Sequence, residues 1–479
     1  MLDAIIREGC LEEELRSIVG AANLFAGGDI EERYTADITH KYHSHPGFVV
    51  RPADTAQIVE IVKLAGRRGV PITPLGGRTG VVGGGMASDG GIVLSLERMN
   101  RILEIDEQSM TMTVEAGTPL QLVQEAAEAK DFIMPLDLGA RGSATIGGNI
   151  ATNAGGNRVL RWGMAGDMVI GLEAVLADGS VVSSLTKMLK DNAGYRWKDL
   201  LVGSEGTLGI VTRAVLRLRP LPRSAQTALV AMSGFDCVPR LLRRLEARFA
   251  GQLSSFELMW NDFYEYVSRA QLQHRPQPMP PVHALYALIE TLGGDPERDM
   301  QLFQEVLAEA QETGLIEDAV IAQTARDRTN LWAVRDDLGE AMRPMMPAVA
   351  YDVSMALQDM PAFVEMSKKA LLELRPAATV LYYGHAGDGN LHLAVSLDKH
   401  DPDAYRKVDD VVYGCLERLG GSVSGEHGIG TGKLDYIAIT RSPEELALMR
   451  SIKQSLDPKN ILNPGKILPA TAKLRSIGL

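Results

Sequence analysis

Two short glycine-rich stretches carry the residues best equipped for chemistry. Tyr382 to Val395 reads YYGHAGDGNLHLAV, and Ser424 to Gly430 reads SGEHGIG. Between them they hold His385, His392, Glu426 and His427, three of the chain's nine histidines and a carboxylate. Asp388-Gly389 sits midway between His385 and His392. An Asp-Gly pair between apolar residues is a strong hairpin signal, because a type I′ turn needs positive φ at both central positions. A two-residue loop there pairs Gly387 with Asn390, Ala386 with Leu391 and His385 with His392. Directly opposed residues share a face, with Cβ atoms roughly 5 Å apart. Two imidazoles at that separation can share one metal ion, and Glu426 offers a third, oxygen, ligand. Two His and one carboxylate leave coordination positions open, as catalytic metal sites do. The same residues also fit a polar turn with no metal, and the spacing alone leaves both readings open.

Glycine is abundant, at 48 residues, and clustered around 76–91, 139–156, 203–209 and 420–432. Clusters of this kind serve positive φ or a close approach of backbone to a ligand. The loop PLGGRTGVVGGG, from Pro74, follows an apolar strand, and its N–H groups can cradle a pyrophosphate. It is not a GxGxxG fingerprint, which occurs nowhere in the chain, and GIGTGKL from Gly428 lacks the spacing and the Ser/Thr of a phosphate-binding P-loop. NAD-dependent dehydrogenase and P-loop ATPase are thereby disfavoured. A second segment, PLDLGARGSATIGGNIATNAGGN from Pro135 to Asn157, offers small residues and amides on which a large flat ligand could lie. The loop THKYHSH, with His40, His43 and His45, has no adjacent acidic or Cys partner and reads as solvated.

The elements that must position these loops follow from patterning. Strand GFVVRP, helix ADTAQIVEIVKLAGRRG and strand VPITPLG form a β-α-β unit with Asp54 or Thr55 as helix cap. The strands GIVLSLE, RILEIDEQ and MTMTVEAG follow, then the helix PLQLVQEAAEAK. GDMVIGLEAVLADGSVV reads as two strands around an Asp178-Gly179 turn. The proline step at 220–222 marks a boundary. Beyond it, long helices alternate with separated apolar strands, which suits a large antiparallel sheet with helices on one face. At 479 residues the chain is too long for one ordinary core. The net charge of −12 argues against nucleic acid or an anionic membrane as main partner. The three cysteines are far apart and form no CxxC, which excludes an obvious iron–sulfur or disulfide framework and fits a reducing, cytoplasmic setting. No apolar run approaches the ~18 residues of a membrane span, and no signal peptide is visible.

GGRTG, GSATIGGNIATNAGG, GSEGTLGIVT, GHAGDGNLH, SGEHGIG and DPKNILNPGKIL occur in that order from about Phe48 to Leu468. Together they resemble the FAD-linked oxidases of the vanillyl-alcohol oxidase/p-cresol methylhydroxylase superfamily. Within it they are most similar to the D-2-hydroxy acid dehydrogenase branch, which holds D-lactate dehydrogenase, the glycolate oxidase FAD subunit and D-2-hydroxyglutarate dehydrogenase. The resemblance implies an α+β fold: a two-subdomain FAD-binding domain of the p-cresol methylhydroxylase type, plus a cap domain with a large antiparallel sheet covered by helices. The expected divisions are an N-terminal helical segment at 1–45, the FAD-binding domain at 46–222, the substrate-binding cap with the metal site at 223–440, and a C-terminal segment at 441–479 returning to the FAD domain.

Matched position by position, the resemblance implies FAD contacts from Pro74, Gly76, Gly77, Arg78, Thr79 and Gly80 around the pyrophosphate. It adds Pro135, Asp137, Ser143, Ile146, Gly147, Gly148, Asn149, Thr152, Asn153, Gly155 and Gly156, then Glu205, Gly206, Gly209 and Ile210, and Asn463 in the returning tail. No His lies in these loops, so noncovalent FAD is expected. The resemblance assigns His385, His392 and Glu426 as ligands of a divalent metal, zinc being expected and manganese or iron also suited. It makes His427 the general base and Arg335 the clamp for a substrate carboxylate. Bland roles stay open: His427 as a neighbour of the metal, Arg335 as a helix-surface ion pair with Asp336 or Asp337.

The implied activity is oxidation of a small D-2-hydroxy acid to the 2-oxo acid by hydride transfer to flavin N5. Electrons would then leave to a separate electron-transfer protein or quinone, and a homodimer is compatible. D-2-hydroxyglutarate dehydrogenases place a Thr four residues and a Lys fifteen residues after the arginine, and an Asn two after the second metal His. This chain has Gly339, Ala350 and Ala394 there, which favours a substrate without a second carboxylate. The alternatives are a D-2-hydroxyglutarate dehydrogenase or a flavin-binding subunit of a multi-subunit glycolate oxidase. A second enzyme reading is an oxidase using oxygen directly, or a carbon–carbon or ether-lipid flavoenzyme of the same superfamily; the three-ligand metal set favours the hydroxy-acid branch.

Overall fold

The computed structural model describes residues 2–271 and 275–469, with side chains from Leu11 onward except Glu340. The chain forms two compact units. Among the described residues the first comprises 2–155, 164–221 and 426–469, and the second 156–163, 222–271 and 275–425. The expected division at residue 440 is therefore displaced to Gly425. Residues 426–440 pack with the first unit, and the short piece 156–163 packs with the second.

The first unit holds three sheets. A four-stranded sheet contains β1 (Leu24–Ala26), β2 (Phe48–Val50), β3 (Ile72–Leu75) and β4 (Ile92–Ser95) in the order β1-β2-β4-β3. β4 lies parallel to both β2 and β3, and β1 runs antiparallel at the edge. The N-terminal segment, read as helical, thus also supplies a strand. The crossover helix Thr55–Arg68 places Ile58, Ile61, Val62 and Ala65 on one buried stripe. Asp54 caps its start, accepting from Gln57 N at 2.9 Å, and Gly69 at φ 67° ends it.

β5 (Ile102–Asp106), β6 (Thr111–Glu115), β8 (Val169–Val175), β9 (Val181–Ser184) and β10 (Ile210–Arg217) form an antiparallel sheet ordered β5-β6-β10-β8-β9, while β7 (Phe132–Ile133) pairs with β11 (Arg219–Pro220). The β8–β9 turn uses Asp178-Gly179, with Gly179 at φ 82° and Asp178 Oδ1 accepting from Ser180 N at 2.8 Å. The C-terminal tail lies along β3. Ile72 N donates to Ile461 O and Asn463 N to Ile72 O, both at 2.7 Å. Asp457, 1% exposed, accepts from Ile461 N and Leu462 N and pairs with Lys453 at 2.5 Å, which fixes the bend into the tail.

The second unit is built on one seven-stranded antiparallel sheet. Its strands are β12 (Ser224–Met232), β13 (Leu253–Trp260), β14 (Leu285–Gly293), β15 (Asp318–Ile321), β16 (Ala348–Ser354), β17 (Val380–His385) and β18 (Asn390–Ser396), ordered β15-β12-β14-β13-β17-β18-β16. Helices cover both faces, not one. Ala228, Val230 and Met232 meet the helices Cys237–Phe249 and Pro296–Glu312, whereas Leu229, Ala231 and Met259 meet Asn261–Gln271, Ala325–Asp336 and Leu338–Met342. The physical reason is legible in β12, whose residues are almost continuously buried. A strand apolar on both sides needs cover on both sides.

Candidate active site

In the first unit a long cleft is lined by residues 74–86, 138–140, 147–149 and 209–211, with Glu205, Glu426 and His427 among its walls. Glycine is required where backbones meet. A Cβ on Gly77 would sit inside the carbonyl of Ser143, and one on Gly76 would collide with Thr145 Oγ1. Non-glycine residues in the left-handed region gather here too: Arg78 at φ 59°, Asn153 at 48°, Glu205 at 49° and Asn463 at 40°. Such conformations persist only where surroundings over-determine them, and they cluster at ligand sites. Two buried donors in the lining, Arg78 Nη1 and Asn149 Nδ2, have no protein acceptor. Buried donors are normally satisfied, so an anionic, carbonyl-rich ligand fits this cleft.

Glu205 straps the cleft to the segment after Glu426. Its Oε1 accepts from Ile429 N at 2.7 Å and its Oε2 from Gly430 N at 2.9 Å. Burial raises its pKa, partly offset by those two N–H groups and by Lys433 and Lys466. Asn463 Nδ2 donates to the carbonyls of Gly84 and Glu205, and its Oδ1 accepts from Thr73 Oγ1.

In the second unit, β13, β17, β18 and β16 bring charged side chains to one face of the sheet. His392 opposes Tyr383, not His385, so the expected hairpin register is corrected by two residues. The loop is four residues long, 386–389, with Asp388 N donating to His385 O. Gly389 has φ 82°, but Asp388 is not left-handed, so the turn is not type I′. A shift of two preserves the face, because side chains alternate with period two. His385 and His392 remain neighbours, ring centroids 5.1 Å apart at 79°. Glu257 opposes His385 on β13, and Asp352 opposes His392 on β16. Asp352 is fully buried and accepts from Ser424 Oγ and Gly425 N. That fixes Gly425, and Glu426 is the next residue along the chain.

One ligand atom each from His385, His392 and Glu426 lies within 4.8 Å of the others. With bonds of about 2.0–2.2 Å from N and O to zinc, that triangle would have to draw in to hold one ion. Among the described residues this is the one group of three with such spacing. The donor set, two imidazoles and a carboxylate, suits zinc, manganese or iron. The helix Ala325–Asp336 lowers Arg335 onto the same face, where it is 7% exposed and its Nε donates to Glu257 Oε2 at 2.9 Å. Arg335 thus has a carboxylate partner buried in the sheet. Burial opposes the ionised form of Glu257, yet His385 and Arg335 outweigh it and hold the carboxyl below its usual range.

Residues 46–184 match the FAD binding domain model, and 221–467 match the FAD linked oxidases, C-terminal domain model. The chain belongs to the FAD-linked oxidase family. It is 37% identical to the mitochondrial D-2-hydroxyglutarate dehydrogenase of Arabidopsis thaliana, covering 95% of this chain and 80% of that protein. It is 38% identical to the D-2-hydroxyglutarate dehydrogenase of Xanthomonas citri pv. viticola, covering 91% and 92%. A putative D-lactate dehydrogenase of Schizosaccharomyces pombe is 33% identical over 91% of this chain and 84% of that one. The fold is that of p-cresol methylhydroxylase, with a TM-score of 0.78 at 18% identity, covering 96% of both chains.

Most of the FAD residues expected of an FAD-linked oxidase line the cleft: Pro74, Gly76 to Gly80, Gly147 to Asn149, Thr152, Gly155, Glu205, Gly206, Gly209 and Ile210. The remainder lie outside its lining. Ile146 is buried in the core, Asn153 caps its helix and accepts from Gly166 N, and Asn463 braces the loops. Pro135, Asp137 and Ser143 are not among the lining residues, and Gly156 belongs to the second unit. The motifs gave no sign of Ala36 and Asp37, which also line the cleft, nor of Glu257 and Asp352. A lone Glu within the apolar strand LSSFELMW was the available signal for Glu257, since a charge there demands a partner.

Proposed function

We propose that the protein is an FAD-dependent, metal-assisted dehydrogenase that oxidises a D-2-hydroxy acid to the 2-oxo acid. The observation that carries this is the His385, His392 and Glu426 triangle, with Glu426 and His427 in the wall of the flavin-binding cleft. FAD, when bound, supplies the hydride acceptor, and a divalent cation, when bound, lowers the pKa of the substrate hydroxyl. The chain's own groups do the rest. The planar fork of Arg335 suits the substrate carboxylate. His427 is the group that takes the hydroxyl proton. Glu205 holds the segment after His427 against the cleft loops. FAD is held noncovalently by Arg78, Asn149 and the glycine loops. Electrons then pass to a separate protein or quinone. The buried free thiols Cys237 and Cys415 suit a reducing, cytoplasmic setting.

The substrate side chain is the finer point. Ala350 opposes Ala394 in the β16–β18 register, two residues beyond the Asp352–His392 pair on the same face. Gly339 has open space where a side chain would project. Methyl groups and glycine cannot pair a second carboxylate, which favours D-lactate and longer monocarboxylates. The names of the relatives favour D-2-hydroxyglutarate instead. Anaerobic bleaching of the flavin by D- and L-2-hydroxy acids, before and after chelation and with metal add-back, separates these readings. Bleaching by D-monocarboxylates that vanishes with chelation is expected. A strong preference for D-2-hydroxyglutarate would sink the neutral pocket, and bleaching indifferent to verified metal removal would sink the metal-assisted reaction.

A further inference from the structure

Glu257 is 1% exposed at the middle of the seven-stranded sheet, opposite His385. Its two oxygens are divided between two partners. Oε1 is 2.6 Å from His385 Nδ1, and Oε2 accepts from Arg335 Nε at 2.9 Å. A carboxylate held ionised can only accept, so Nδ1 carries the proton of the neutral ring. A second contact agrees. Arg335 Nη2 lies 3.3 Å from His385 Nε2, and a guanidinium can only donate, so Nε2 presents its lone pair. Both ring nitrogens are thereby assigned from independent neighbours.

We propose that Glu257 is a positioning residue for the metal centre, resting on the metal-binding reading above. It fixes His385 in the Nδ1–H tautomer, leaves Nε2 as the ligand atom, and raises the basicity of that nitrogen. Through Oε2 it also anchors Arg335 by its Nε, while Nη2 gives up the single lone pair of Nε2 when an ion takes it, so one carboxylate orients both the ligand and the substrate clamp. The rival role is a purely structural one, in which Glu257 only neutralises a buried arginine.

Metal affinity separates the two roles without reference to turnover. Zn²⁺ or Mn²⁺ binding to the FAD-loaded full-length protein is measured by chelator competition for the wild type, E257Q, R335Q and the double variant. Loss of such an outer partner typically weakens metal binding about 10–100-fold, and E257Q is expected to fall in that range. R335Q should bind metal no more weakly than the wild type, and the double variant should be as weak as E257Q. Restoration of wild-type affinity in the double variant, or unchanged affinity in E257Q, overturns the proposal. If E257Q does not fold, E257D keeps the charge but shortens the reach, and unchanged affinity in that protein is equally fatal. H385A distinguishes the levels. If it also binds metal like the wild type, the metal-centre reading itself fails; if it loses metal while E257Q does not, only the assignment of Glu257 falls.

Discussion

His427 and Arg335 are asked to do different things, and substitution should separate them. His427→Asn removes a base while leaving the metal ligands in place. Flavin reduction by the best substrate should slow by about 10²–10⁴-fold with metal content unchanged, as read by anaerobic stopped-flow and metal analysis. An equal loss of metal would make His427 a ligand neighbour and not a base. Arg335→Lys keeps the charge but loses the planar fork. One charge-assisted bond is worth about 1.5–3 kcal/mol, so the substrate concentration for half-maximal reduction should rise by roughly one to two orders of magnitude. At this scale the sequence was most readable where a residue type has few other uses. Glycines that admit a neighbouring backbone, such as Gly77 against Ser143, announce themselves. Glu257 does not, because its partners His385 and Arg335 stand 128 and 78 residues away along the chain.

Between residue and fold, the hairpin that carries His385 and His392 shows what a strand pattern does and does not specify. Alternation fixed which face His385 and His392 occupy, and that survives a two-residue change of register. The register itself depended on the loop, and the loop is longer than an Asp-Gly turn because Gly389 is tied to the end of β16, its carbonyl accepting from Met355 N. The third ligand depends on a different loop. A Cβ at Gly425 would collide with the Asn390 amide and come within 2.6 Å of Ser354 Oγ. Gly425→Ala should therefore displace Glu426 and weaken metal binding on the order of tenfold or more, while FAD stoichiometry holds. Equal metal affinity in this variant would mean that Glu426 is not a ligand. Helix cover on both faces of the large sheet is the other feature that the strand pattern leaves open. Long apolar strands such as β12 carried that information, but periodicity alone cannot tell a doubly covered strand from a singly covered one.

For the molecule as a whole, chain order and spatial order part company in the second unit. The eight residues 156–163 precede the main body of that unit by roughly sixty positions, yet they complete it. Arg158 Nε donates to Glu290, 1% exposed, at 3.0 Å; Arg161 holds the carbonyls of Gln252 and Leu292; and Leu160 packs against Gly387 in the β17–β18 loop. A recombinant fragment of the second unit cut at Pro222 and Gly425 would leave this peptide behind. Such a fragment should fold poorly, since Glu290 would lose its arginine and remain buried, a loss of about 3–5 kcal/mol for a broken buried pair. Supplying 156–163 as a synthetic peptide should recover part of the melting transition, and a fragment equally stable without it would show the piece to be dispensable. The modular boundary of this enzyme is thus a property of its contacts, and a gene-level cut through the linkers would miss it.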